Sequence, residues 1–143
     1  MKIIDMNPAK YSEKQSKVIY RLELENALKR LGIYPDQMGF RLLVMAAQLW
    51  LDYIGVLQER LPPQVTKTIY PEIAKITGRT VYSVERNMRY SIQRAMDNPE
   101  KREYICKCFG CEPEPGRTYF TVSQFIALLV NQIYFYGGVG PAA

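Results

Sequence analysis

The stretch from Tyr70 to Met96 does most to limit what this chain can fold into. Val81, Val84, Met88, Ile92 and Ala95 recur three or four residues apart, a spacing that lines one face of an α-helix. The opposite face carries Tyr82, Glu85, Arg86, Arg89 and Gln93, with many hydrogen-bonding groups and little hydrophobic surface. Upstream, Ile69, Ile73 and Ile76 keep the same spacing and are expected to be buried. That segment stops at Thr77-Gly78, and glycine is favoured just past a helix end because the chain turns left-handed there. Thr80 stands where a side-chain oxygen can cap the next helix. Two short helices joined by a glycine turn, the second with a basic outer face, have the geometry of a helix-turn-helix, which sets its second helix in the DNA major groove. Spacing and charge alone fit equally well two helices that only close a core.

The rest of the chain supplies that core. A first helix is marked by Leu24, Ala27, Leu28 and Leu31 and ended by Gly32, with Ser12 and Gln15 as a capping box extending it backward. Tyr34-Pro35-Asp36 is a turn, Asp36 capping a second helix from about Met38 to Val56. Phe40, Leu42, Leu43, Val44, Met45, Leu49, Trp50, Leu51 and Ile54 make that helix apolar nearly all round, so it is expected at the centre of the core. Arg41, Gln48 and Asp52 interrupt it well short of the run of about 18 apolar residues that a membrane span needs. Leu61-Pro62-Pro63 is a break, and Pro71 either kinks the next segment or opens its helix. Asn98 and Pro99 start a short helix to about Phe109, and CEPEPGRTY forms a loop. Thr121 and Gln124 then make a capping box, and Phe120 and Phe125 a hydrophobic staple, for a helix from Val122 to about Tyr134. The pattern predicts an all-α domain over 16–136, with about six helices around a central buried one. A leader over 1–15 and a flexible tail over 137–143 flank it.

Composition narrows the function. Histidine is absent, which removes the commonest general base and metal ligand. With no glycine-rich phosphate loop and no paired acids in an apolar run, no catalytic site assembles and no cofactor is called for. The formal net charge of +5 suits a polyanionic partner. Charge interrupts Met1-Lys2-Ile3-Ile4-Asp5 too early for a signal peptide. Three cysteines, an odd number, argue against a disulfide framework and for the reducing cytoplasm. Cys106, Cys108 and Cys111 lack a fourth cysteine or a histidine to complete a structural zinc site, so no metal is expected.

Taken together, TKTIYPEIAK (66–75), the VER triplet (84–86) followed by Arg89, Phe109-Gly110, FTVSQFIALLV (120–130) and LGI (31–33) resemble the C-terminal effector domain of the stage 0 sporulation protein A family. The resemblance runs from about Tyr20 to Tyr136, and 66–94 is its specific part. It implies an all-helical domain of about six helices that binds a short CG-containing DNA box, with Glu85 and Arg86 reading base edges. It also implies side-by-side dimers on tandem boxes through the last helix. The family carries a receiver domain for which 143 residues leave no room. Ser83 stands where the family has an arginine, and Tyr90 where it has a histidine.

The candidate site follows from both lines. A guanidinium can bond O6 and N7 of guanine while a carboxylate accepts from the cytosine amine, so Glu85, Arg86 and Arg89 are the expected base readers. Glu85 and Arg89 also sit at the i,i+4 spacing of a plain surface ion pair. Lys67, Arg79, Tyr82, Ser83 and Arg94 are the expected phosphate contacts, which position without reading sequence. Lys75 is a further candidate for that role, and packing is the expected role of Tyr90. In the family alignment Cys108 takes a core leucine's place, as a small buried hydrophobe. Tyr104, Phe109, Tyr134, Phe135 and Tyr136 form a late aromatic cluster, fit for core packing or for a homodimer interface. The expected function is a cytoplasmic, sequence-specific transcriptional regulator that binds double-stranded DNA. The alternative is a protein-interaction module of the same fold that modulates another regulator without binding DNA.

Overall fold

The computed structural model describes residues 13–55, 65–114 and 120–136, with side chains placed at 20–52, 65–114 and 120–134. The leader through Ser12, the Leu61-Pro62-Pro63 break, the centre of the CEPEPGRTY loop and the tail at 137–143 lie outside the described residues. Six helices account for the rest: α1 (Glu13–Arg30), α2 (Met38–Gly55), α3 (Tyr70–Thr77), α4 (Val81–Asp97), α5 (Pro99–Phe109) and α6 (Val122–Tyr136). Among the described residues there is no strand, and no helix is long and apolar enough to cross a membrane.

Helix α2 is the central rod, packed against α1, α3, α4 and α6. Leu42, Leu43, Ala46 and Ala47 are wholly buried on it, and Trp50 nearly so. Leu24, Leu28 and Leu31 of α1, Val84 and Met88 of α4 and Phe125, Ile126, Leu129 and Ile133 of α6 complete the core. Each such buried Leu, Ile, Val, Met or Phe side chain stabilises the fold by roughly 1.5–3 kcal/mol. Helices α2 and α4 approach closely at Gly39, where an added Cβ would lie 2.6 Å from the Asn87 carbonyl oxygen and from Ser91 Cβ. Only a residue without a side chain lets the two backbones meet there.

Pro71 falls in the first turn of α3. A proline lacks the N–H for an i→i−4 bond, and its ring crowds that carbonyl. The π-helical turn at Val65–Ile69 runs directly into α3 and supplies the wider winding that this position needs. At the other end of the pair, Asn98 serves two helices. Its extended backbone (φ −82°, ψ 116°) ends α4, while its Oδ1 accepts from the N–H groups of Glu100 (3.0 Å) and Lys101 (3.3 Å) to open α5. The expected box on α6 is reciprocal: Thr121 N–H donates to Gln124 Oε1 (2.9 Å) and Gln124 N–H to Thr121 Oγ1 (3.1 Å). Phe109, Phe120 and Phe125 meet edge to face with centroids 5.5–6.2 Å apart, so Phe109 belongs to the packing under α6.

Two expectations are corrected. Cys106 and Cys111 are joined by a disulfide, leaving Cys108 as the buried free thiol. The cause is local: α5 ends at left-handed Gly110, and the N–H groups of Gly110 and Cys111 both return to the Cys106 carbonyl (2.7 and 2.9 Å). That turn brings the two Cα atoms to 4.5 Å, within bridging range. Ile76, expected in the core, is 56% exposed. It lies three residues beyond buried Ile73 on a helix of only eight residues, after which nothing covers that flank among the described residues.

Candidate nucleic-acid interface

The unit formed by α3, the glycine turn and α4 is held by local bonds. Gly78 is left-handed (φ 69°), and its N–H and that of Arg79 both donate to the Ala74 carbonyl. Thr77 Oγ1 donates to the Ile73 carbonyl at 2.8 Å. Thr80, extended, accepts from the Ser83 N–H through Oγ1 at 3.0 Å and opens α4 as the sequence predicts. The inner face of α4 is sealed by Val84, Met88, Ile92, Ala95 and Met96. Its orientation is therefore fixed, and its outer face turns to solvent.

On that outer face Tyr82, Arg86, Arg89 and Gln93 are exposed and recur at helical spacing. Arg86 extends into solvent, and among the described residues no carboxylate pairs with it. Glu85 is half-buried at the margin and accepts from Arg89, whose Nη1 is 3.2 Å from Oε2 and 3.3 Å from Oε1. The surface ion pair allowed by the spacing thus forms, and it draws the Glu85 carboxylate toward Arg89, one turn further along the helix. Gln93 donates to Asp97 Oδ1 at 2.9 Å.

The expected phosphate contacts scatter around this strip. Lys67 is exposed on the π-helical turn, Arg79 is half-buried in the glycine turn, and Arg94 is exposed in the last turn of α4. Tyr82 is 67% exposed. Ser83 is half-buried, and its hydroxyl and carbonyl oxygens both accept from Asn87 Nδ2, at 3.3 and 2.7 Å. Tyr90, expected to pack, is instead 64% exposed.

Two features escape sequence reasoning. Arg21 and Arg41 line an open cleft of about 540 Å³ together with Arg79 and Thr77, so cations from α1 and α2 come beside the turn. Only the folding of α1 and α2 onto α3 could reveal that. The second is Tyr70, 4% exposed. Burial pushes its phenol above the ordinary value, a hydrogen bond with Ser123 of α6 opposes this, and the Glu85 charge adds to it. A family model described as "Sporulation initiation factor Spo0A C terminal" matches residues 24–133, most of the chain and all of this unit.

Proposed function

Because the chain belongs to the family of the C-terminal, DNA-binding domain of sporulation initiation factor Spo0A, we propose that it is a sequence-specific transcriptional regulator that docks α4 in the major groove. The unit α3–turn–α4 is then the helix-turn-helix, and α4 its recognition helix. Arg86 takes a guanine edge, Glu85 accepts from the neighbouring cytosine amine, and Arg89, released from Glu85, contacts a further base. Lys67, Arg79, Tyr82, Ser83 and Arg94 hold the flanking backbone. The protein acts in the cytoplasm because its target there is DNA, the cysteine count no longer bearing on the compartment once Cys106 and Cys111 are joined, and it pairs with a second copy through α6 when two boxes lie in tandem. The observation that carries this reading is a helix with one side sealed in the core and the other presenting exposed Arg86, which pairs with no carboxylate among the described residues, next in sequence to Glu85.

The test is fluorescence anisotropy on a TCG-containing duplex and a scrambled one across a salt series. Binding weakens steeply with salt as counterions are regained. Arg86→Ala removes about 1–3 kcal/mol of discrimination between the duplexes. Lys67→Ala weakens both equally and lowers the salt slope by about 1. No binding to either duplex at low salt, or an undiminished preference in Arg86→Ala, refutes the reading.

A further inference from the structure

Among the described residues seven large apolar side chains are exposed, and three of them lie on either side of one turn: Ile76 at 56%, Val81 at 36% and Tyr82 at 67%. They flank the glycine turn, Ile76 ending α3 and the other two opening α4. The backbone bonds of the turn are satisfied internally through the Ala74 carbonyl. A Cβ added to Gly78 would meet nothing within 4 Å, so the turn between them stands open. The corner has a rigid base, because Ile73 and Val84 behind it are wholly buried.

Its position selects the occupant. Tyr82 lies one helical turn before Arg86, so it shares that residue's face of α4. One turn advances 5.4 Å, which spans one to two base-pair steps of 3.4 Å. Any surface that admits Arg86 to a base edge therefore brings the Tyr82 ring to a neighbouring pair. From 75 to 89 the chain carries four cations, Lys75, Arg79, Arg86 and Arg89, against the single carboxylate Glu85, which favours a polyanion. The apolar feature that DNA offers in the major groove is the C5 methyl group of thymine.

Resting on the DNA-binding reading above, we propose that Ile76, Val81 and Tyr82 form an apolar tip that packs on thymine methyl groups beside the pairs read by Glu85 and Arg86. The tip makes this protein's preference depend on methyl contact as well as on hydrogen bonds. The Tyr82 ring makes the methyl contact while its hydroxyl reaches the backbone.

The experiment takes the duplex preferred in a selection from random DNA and replaces each thymine in turn by deoxyuridine, which deletes the methyl group alone. At one or two thymines the replacement weakens wild-type binding by about fourfold, the size of one buried methyl. Tyr82→Ala or Ile76→Ala abolishes the thymine–uracil difference at those positions. Tyr82→Phe keeps the difference while weakening both duplexes alike through the lost hydroxyl. Unchanged binding across the whole uridine scan, or a difference that survives both alanine variants, overturns the tip while leaving base reading by Arg86 intact. Selection of no duplex at all overturns both. Loss of a protein partner in the alanine variants, with the uridine scan flat, assigns the corner to protein instead.

Discussion

Glu85 is the residue where stability and function separate most cleanly. Its bond to Arg89 is a surface i,i+4 pair, the Arg89 side chain being 58% exposed, and such pairs contribute about 0.3–0.5 kcal/mol. Glu85→Ala is therefore expected to leave urea unfolding within about half a kcal/mol of wild type while removing discrimination at the cytosine that the proposal assigns to it. A large stability loss would show that Glu85 serves the fold rather than base reading. Thr80 is the contrasting case, legible from the sequence because capping is a local matter: its Oγ1 does accept from Ser83. Ile76 was illegible for the opposite reason. Three-residue spacing places it on the buried side, but whether that side is covered depends on where α3 ends and what lies beyond.

Among the elements, α4 was the most readable, since it combines a cap, an apolar stripe buried from Val84 to Met96 and a charged stripe, although Val81, first on the expected apolar face, is exposed. The boundaries expected for α5 and α6 also followed from local chemistry, Asn98-Pro99 for one and the Thr121–Gln124 box for the other. The junction of α2 with α4 was not readable, because Gly39 looks from sequence like any small residue in an apolar helix. In space it is where two backbones touch. Gly39→Ala forces a methyl against the Asn87 carbonyl, which belongs to backbone and cannot rotate aside. The expected cost is about 1–3 kcal/mol by overpacking. Because α4 must shift to relieve the clash, DNA affinity should fall in folded protein too. Wild-type stability in Gly39→Ala, by denaturant titration, would show that the helices are less tightly apposed than described.

At the scale of the whole molecule, the titratable groups that the fold perturbs among the described residues all lean the same way. Burial raises the phenols of Tyr20, Tyr70 and Tyr104 above the ordinary 10.0, and burial raises the Cys108 thiol above 9.0. A raised value means that the folded state holds the proton more tightly. The resulting stabilisation is complete below the unfolded pKa and is lost as pH climbs through the folded one. With no histidine in the chain, the fold is expected to keep its stability from pH 6 to about 8.5 and weaken above about 9–10. Tyr70→Phe should soften the alkaline fall, and identical pH profiles for the two proteins would remove Tyr70 from the explanation. The disulfide, by contrast, is a local outcome that counting cysteines missed, since it depends on the α5 cap bringing Cys106 to Cys111.

Everything functional rests on Arg86 touching a guanine. The sharpest measurement is a two-by-two comparison of wild type and Arg86→Ala on the preferred duplex, with guanine or 7-deazaguanine at the position read. Deleting N7 should weaken wild-type binding about tenfold, within the range of one good base contact, and leave Arg86→Ala indifferent to the change. An equal loss in both proteins, or none in wild type, would contradict the docking of α4 in the groove.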